Sequence, residues 1–127
     1  MKSLKIILVL FLVNIVFNTR CTKEAGVTGK KTIAGAVLYK NGASGTNDPA
    51  ISAAVYITYG TNTASGYYDQ STLTDSEGNY SIKGLQKGDY FIRAEYTDSH
   101  GFNYTTPGYG VSIKDKKGEL KLDIILE

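Results

Sequence analysis

Three groups of residues in this sequence have types and spacings that could do chemistry. The first is Asp75, Glu77 and Asn79, packed around Gly78 in "TDSEGNYSIKGLQKGDY". Oxygen ligands this dense suggest calcium. An EF-type loop needs Asp or Asn ligands at alternate positions before a glycine, and a bidentate glutamate at its twelfth position. Counted from Asp75, the glycine comes fourth, not sixth, and the twelfth residue is Gln86. The ligand spacing fails. A turn accounts for every residue instead: the Asp75 carboxylate accepts bonds from the amides ahead of it, Gly78 takes positive φ, and Asn79 tolerates it. Asp75, Gly78 and Gly88 are therefore assigned to backbone turns, and no metal or other cofactor is expected.

The second group surrounds His100, the only histidine, in "YTDSHGFNY". A catalytic triad or a zinc site needs partners that converge in space. Asp98 and Ser99 are immediate neighbours in one loop, which cannot align a nucleophile, a base and an orienting group. A solvated loop histidine and no catalysis are expected. The third group is aromatic. Tyr67 and Tyr68 in "ASGYYDQ" fit no strand phase, and neither do Phe102, Tyr104 and Tyr109 in "HGFNYTTPGYG". Exposed rings stack on sugars or anchor a protein partner, so Tyr67, Tyr68 and Asp69 are the candidate partner contact.

The elements that must position these residues repeat with a period of two. Val55, Ile57 and Tyr59 share one face of "AAVYITYG", and Tyr90, Ile92, Ala94 and Tyr96 alternate with Phe91, Arg93 and Glu95. Ile33, Val37 and Tyr39 share a face, as do Tyr80 with Ile82 and Val111 with Ile113. Leu120, Leu122, Ile124 and Leu126 give a last strand with one buried side. On these phases Tyr39, Tyr59, Tyr80, Tyr90 and Tyr96 are assigned to the core. Turns are expected at Asn41-Gly42, Asp48-Pro49, Gly78-Asn79, Lys87-Gly88 and Lys117-Gly118. With a short strand near residues 71–74 this makes about seven strands, an all-β antiparallel sandwich over residues 32–127. Loops then alternate between its two ends. Tyr67 and Tyr68 are expected to share an end with the turns at 84–87 and 115–118, away from Phe102.

Residues 1–20 carry Lys2 and Lys5, then an apolar run from Ile6 to Phe17 broken only by Asn14. That is the layout of a secretory signal, and the run is short of the roughly 20 residues of a spanning helix. Without Lys2, Lys5 and Arg20 the chain has 11 basic and 12 acidic residues. No basic patch is left to argue for nucleic acid or for an anionic surface. The one cysteine, Cys21, lies just past the apolar run. This segment resembles the lipoprotein signal of Gram-negative bacteria, although Arg20 and Asn18 stand where the usual motif has a small and an aliphatic residue. The resemblance implies lipidation at Cys21, export, and anchoring in the outer membrane. Residues 21–31 are polar and aperiodic and read as a flexible tether.

"TDSEGNYSIKGLQKGDYFIRAEY", with "IAGAVLYKNG", "PAISAAVYI" and "GELKLDIILE", resembles the carboxypeptidase regulatory-like and Cna-B-like modules over residues 32–127. The resemblance implies a transthyretin-like sandwich. Ala53 stands where the family often has glycine, and residues 60–70 form a longer loop. Transthyretin-fold hydrolases use several histidines and a C-terminal Tyr-Arg-Gly-Ser, which this chain lacks. The buried acid that assists the Cna-B Lys–Asn isopeptide bond is matched by Ala94. The expectation is a lipid-anchored envelope module that binds or supports a partner without catalysis. The alternatives are a glycan-contacting accessory lipoprotein of a nutrient-uptake system and, third, a small hydrolase.

Overall fold

The computed structural model describes residues 25–127. The signal segment 1–20 and Cys21 lie outside them. Ten strands follow in order: β1 (Lys30–Lys40), β2 (Asn47–Pro49), β3 (Ala54–Tyr59), β4 (Gln70–Leu73), β5 (Asn79–Leu85), β6 (Gly88–Thr97), β7 (Asn103–Thr105), β8 (Tyr109–Ile113), β9 (Lys117–Lys121) and β10 (Ile124–Leu126). The described part of the chain is all-β.

Two sheets form the sandwich. In the first, β1 is central. Its first half pairs with antiparallel β5 on one side and parallel β9 on the other; its second half pairs with antiparallel β2 and parallel β10. In the second, β6 is central, between β3 on one side and β7 and β8 on the other, with β4 beyond β3. The inner faces meet in a core of Ile33, Val37, Ile82, Leu85, Ile124 and Leu126 against Val55, Ile57, Tyr90, Ile92 and Ala94. These side chains are almost wholly removed from water, the Val, Leu and Ile among them contributing roughly 1.5–3 kcal/mol each.

Ten segments rather than seven arise from three departures. Asp48-Pro49 is not a turn but part of β2, an edge strand whose proline needs no ladder donor. β7 forms where residues 103–105 fold back on β6. The expected last strand is interrupted: β9 pairs with Lys30–Ala34, the chain breaks step at Leu122–Asp123, and β10 pairs with Val37–Tyr39. Both halves run parallel to β1, so the sandwich is not purely antiparallel. The reason is where β8 stops. Ile113 lies opposite Gly88, at the end where β1 begins, and the chain re-enters the first sheet in the same direction as β1. Lys117-Gly118, expected as a turn, opens β9.

The break is tightly held. Leu122 N–H donates to the Ala34 carbonyl at 2.8 Å, and Ala36 N–H donates to Asp123 Oδ1 at 2.9 Å. The Tyr80 hydroxyl donates to the Leu122 carbonyl at 2.7 Å. Burial, and then the Asp123 charge, push the Tyr80 phenol far above its ordinary value, so it stays a donor. Gly35 sits under this carbonyl: a Cβ there would meet the Leu122 oxygen at 2.0 Å. Gly35→Ala is therefore expected to destabilise by at least about 3 kcal/mol. Gly42→Ala, where a Cβ meets nothing within 4 Å, is expected to stay within about 0.5 kcal/mol. Urea titration of both variants checks the difference.

Candidate functional site

Beyond the core, the inward phases of three strands run on into a cleft at the end of the sandwich. Tyr39 is near the end of β1, Tyr96 near the end of β6, and Tyr104 lies opposite Tyr96 on β7. Their rings form a triangle, with Tyr39 at 4.8 Å from Tyr96 and 4.9 Å from Tyr104, and Tyr96 at 6.2 Å from Tyr104. All three are half-buried and packed against the core. The cleft has a volume of about 610 Å³ and is rimmed by Asn41, Asp98, His100, Phe102 and Asn103. Behind it, Thr105 and Glu127 exchange two backbone bonds of 3.2 Å, which tie the two sheets together.

Asp98 shapes the rim. Its Oδ1 accepts from the His100 and Phe102 amides, both at 2.9 Å, and its Oδ2 accepts from the Tyr104 hydroxyl at 3.3 Å. Desolvation alone would raise this carboxyl, but the two amides, the phenol and the His100 charge outweigh it and hold it below its ordinary value. Desolvation first, then neighbouring charge that includes Asp98, raises the Tyr96 and Tyr104 phenols. The cleft thus offers tyrosine hydroxyls, the acidic side chains of Asp98 and Glu127, and the Phe102 ring, which is 65% exposed. Such a surface can stack on a sugar ring and bond its hydroxyls.

Tyr39 and Tyr96 were expected in the core because they keep the inward phase; Tyr104 fitted no strand at all. The missed signal is position. Both phased tyrosines come just before turn sequences, Asn41-Gly42 and Asp98-Ser99, where a strand has outrun its partner sheet.

Tyr67, Tyr68 and Asp69 lie elsewhere. The loop starts beside β6, with Gly60 N–H donating to the Asp89 carbonyl at 2.8 Å, at the end opposite Asp98. It then crosses the outer face of the second sheet, with the Asn62 backbone against Gly110. Tyr68 stacks on Tyr56 at 4.5 Å, and the Arg93 guanidinium lies 5.8 Å from its ring. Arg93 is opposite Tyr56 on β6, so Tyr68 sits over the middle of the sheet, not beside the end turns. Asp69 Oδ2 accepts from the Tyr59 amide at 2.7 Å, holding the loop to β3. Tyr67 is 61% exposed, while its carbonyl accepts from the buried Thr58 hydroxyl at 2.8 Å.

At the Asp75 turn, Oδ1 accepts from the amides of Glu77 and Asn79 at 2.9 Å each. Gly78 has φ 80°, and a Cβ there would meet Pro49 Cβ at 2.9 Å. Gly88 opens β6 at φ 146°, close against Ala25. Among the described residues no group of three or more His, Cys, Asp or Glu side chains is placed to hold a metal ion.

No protein-family model matches the chain, and no curated protein matches it in sequence. Solved structures share the fold, and two of them are similar over most of this chain. One is a protein of Pseudomonas aeruginosa proposed to bind carbohydrate, with a TM-score of 0.56 and 17% identity over 80% of this chain and 91% of that one. The other is the major pilin subunit of Bacillus cereus, with a TM-score of 0.54 and 16% identity over 78% of this chain and 30% of the pilin. At such identities the likeness is one of fold.

The Asp98 geometry sets a pH dependence. Because its folded-state value is depressed, its stabilisation is present above the ordinary carboxylate range of about 4 and is lost as pH falls through the lower folded value. Asp98→Asn keeps an oxygen acceptor and loses the charge. It is expected to melt below wild type at neutral pH, with the gap closing in acid, as thermal melts across the acid range will read.

Proposed function

We propose that this protein is a non-catalytic envelope module that contacts glycans through the tyrosine cleft, held at the cell surface by a lipid on Cys21. The observation that carries the reading is the cleft itself. Three tyrosines and an exposed Phe102 ring meet a fixed carboxylate and amide groups in a concave site, which is the composition that sugar recognition uses. The fold likeness to a protein proposed to bind carbohydrate supports it. The likeness to a pilin subunit supports the transthyretin-like, Cna-B-like reading of the fold and a structural role in the envelope. The lipoprotein signal before Cys21 supports export and outer-membrane anchoring. The absence of catalysis is our reading of a cleft whose Asp98 is occupied by loop amides and whose His100 imidazole is solvated.

A glycan array followed by titration with the best oligosaccharide tests the site. Phe102→Ala is expected to weaken binding by about tenfold, since truncating an anchoring aromatic removes at least about 1 kcal/mol, with little change in melting temperature. Tyr67→Ala is expected to leave affinity unchanged. The reverse pattern moves the site to Tyr67 on the outer face, and an array without binders removes the glycan reading altogether. For the anchor, wild type is expected in the detergent phase and Cys21→Ser in the aqueous phase or with its leader retained. A Cys21→Ser protein that stays with the membrane after losing its leader defeats the lipid.

A further inference from the structure

The end of the sandwich opposite the tyrosine cleft is basic, against the expectation from the balance of 11 basic and 12 acidic residues that no basic patch is left. Parallel pairing sets Lys30 beside Lys117, and antiparallel pairing sets Leu85 beside Lys31, which brings Lys87 to the same end. Ile113 opposite Gly88 adds Lys114 and Lys116. Lys30, Lys87, Lys114, Lys116 and Lys117 are exposed. Among the described residues none of these five makes an ion pair, because the ion pairs found are Lys31–Asp115 at 3.8 Å and Arg93–Glu95 at 2.7 Å. Two of the nearby acids are already engaged: Asp115 by Lys31, and Asp89, which accepts from the Ser112 hydroxyl at 2.6 Å. Lys30, Lys87, Lys116 and Lys117 line a cleft of about 560 Å³. Val27, beside it, is 53% exposed.

The same end receives the N-terminal segment. Gln86 N–H donates to the Gly26 carbonyl at 2.9 Å, Gly26 N–H donates to the Tyr90 hydroxyl at 3.1 Å, and Gly29 N–H donates to the Gly84 carbonyl at 2.8 Å. Ala25 is thus fixed four residues after Cys21. Four residues reach at most about 14 Å. A lipid on Cys21 therefore leaves the near edge of this end within about one to two Debye lengths of the bilayer surface. The acidic groups Asp75, Glu77, Asp98 and Glu127 lie in the other half, beyond Ala36 of β1 and Tyr96 of β6.

We propose that this basic end docks on anionic lipid headgroups through ammonium–phosphate contacts, with Val27 at the interface, and so directs the tyrosine cleft away from the membrane. Compact ammonium groups on flexible stems suit mobile headgroup phosphates, which demand no fixed fork geometry. The proposal uses the N-terminal attachment and is independent of whether the cleft binds a glycan.

The test uses the full chain reconstituted into vesicles of phosphatidylcholine alone or mixed with phosphatidylglycerol. A membrane-impermeant amine reagent reports each lysine by mass spectrometry, with exposed Lys40 at the far end as the internal control. On anionic vesicles, labelling of Lys87, Lys116 and Lys117 is expected to slow by at least about fivefold, reversibly in high salt, while Lys40 is unchanged. The double variant Lys116→Glu/Lys117→Glu is expected to release Lys87 from protection. Equal slowing at Lys40, or none on vesicle-bound protein, overturns the orientation. The same protection by inorganic phosphate without vesicles assigns the cleft to a soluble anion. Protein that fails to sediment with vesicles removes the attachment and the proposal with it, and the glycan array is unaffected by either result.

Discussion

The structure depends on β1 being shared. One strand of eleven residues serves four partners, two on each side. Its two halves are bridged on one flank by the step at Leu122–Asp123, where a side-chain carboxylate substitutes for a ladder carbonyl at Ala36 N–H. Its register then places the lysines beside Lys30 and delivers Glu127 to Thr105 behind the cleft.

Much of this arrangement was legible in the sequence because a half-buried strand writes its two faces in alternate letters. Val55 and Ile57 of β3 and Tyr90, Ile92 and Ala94 of β6 are buried as their phase requires, as are Tyr80 and Ile82 of β5. What was illegible concerns relations between distant residues. Alternation through Leu120, Leu122, Ile124 and Leu126 continues across the break, so the interruption leaves no mark in the pattern. Its trace is Gly35, a strand glycine that reads as mere weakness until the Leu122 carbonyl is seen above it. Edge strands as short as β2 and β7 carry too few residues to show a period.

The candidate sites failed to appear for the same reason. Alternation says which way Tyr39 and Tyr96 point, not whether anything is packed opposite them. A tyrosine that points inward past the last layer of the core lines a cleft. Charge behaves similarly: Lys30, Lys87 and Lys117 are scattered along the chain and become one surface only through strand register. Composition showed a nearly balanced chain, whereas the fold gathers Lys30, Lys87, Lys114, Lys116 and Lys117 at one end.

The parallel run of β1 with β9 and β10 also has a mechanical consequence. β1 begins at the basic end, while β10 finishes beside Tyr39 at the cleft end. Tension between Ala25 and Leu126 therefore acts along both strands in opposite senses. Their hydrogen bonds must slide together rather than open one after another like a zipper. A module attached at one end and engaged at the other would yield to load only when the whole seam fails at once.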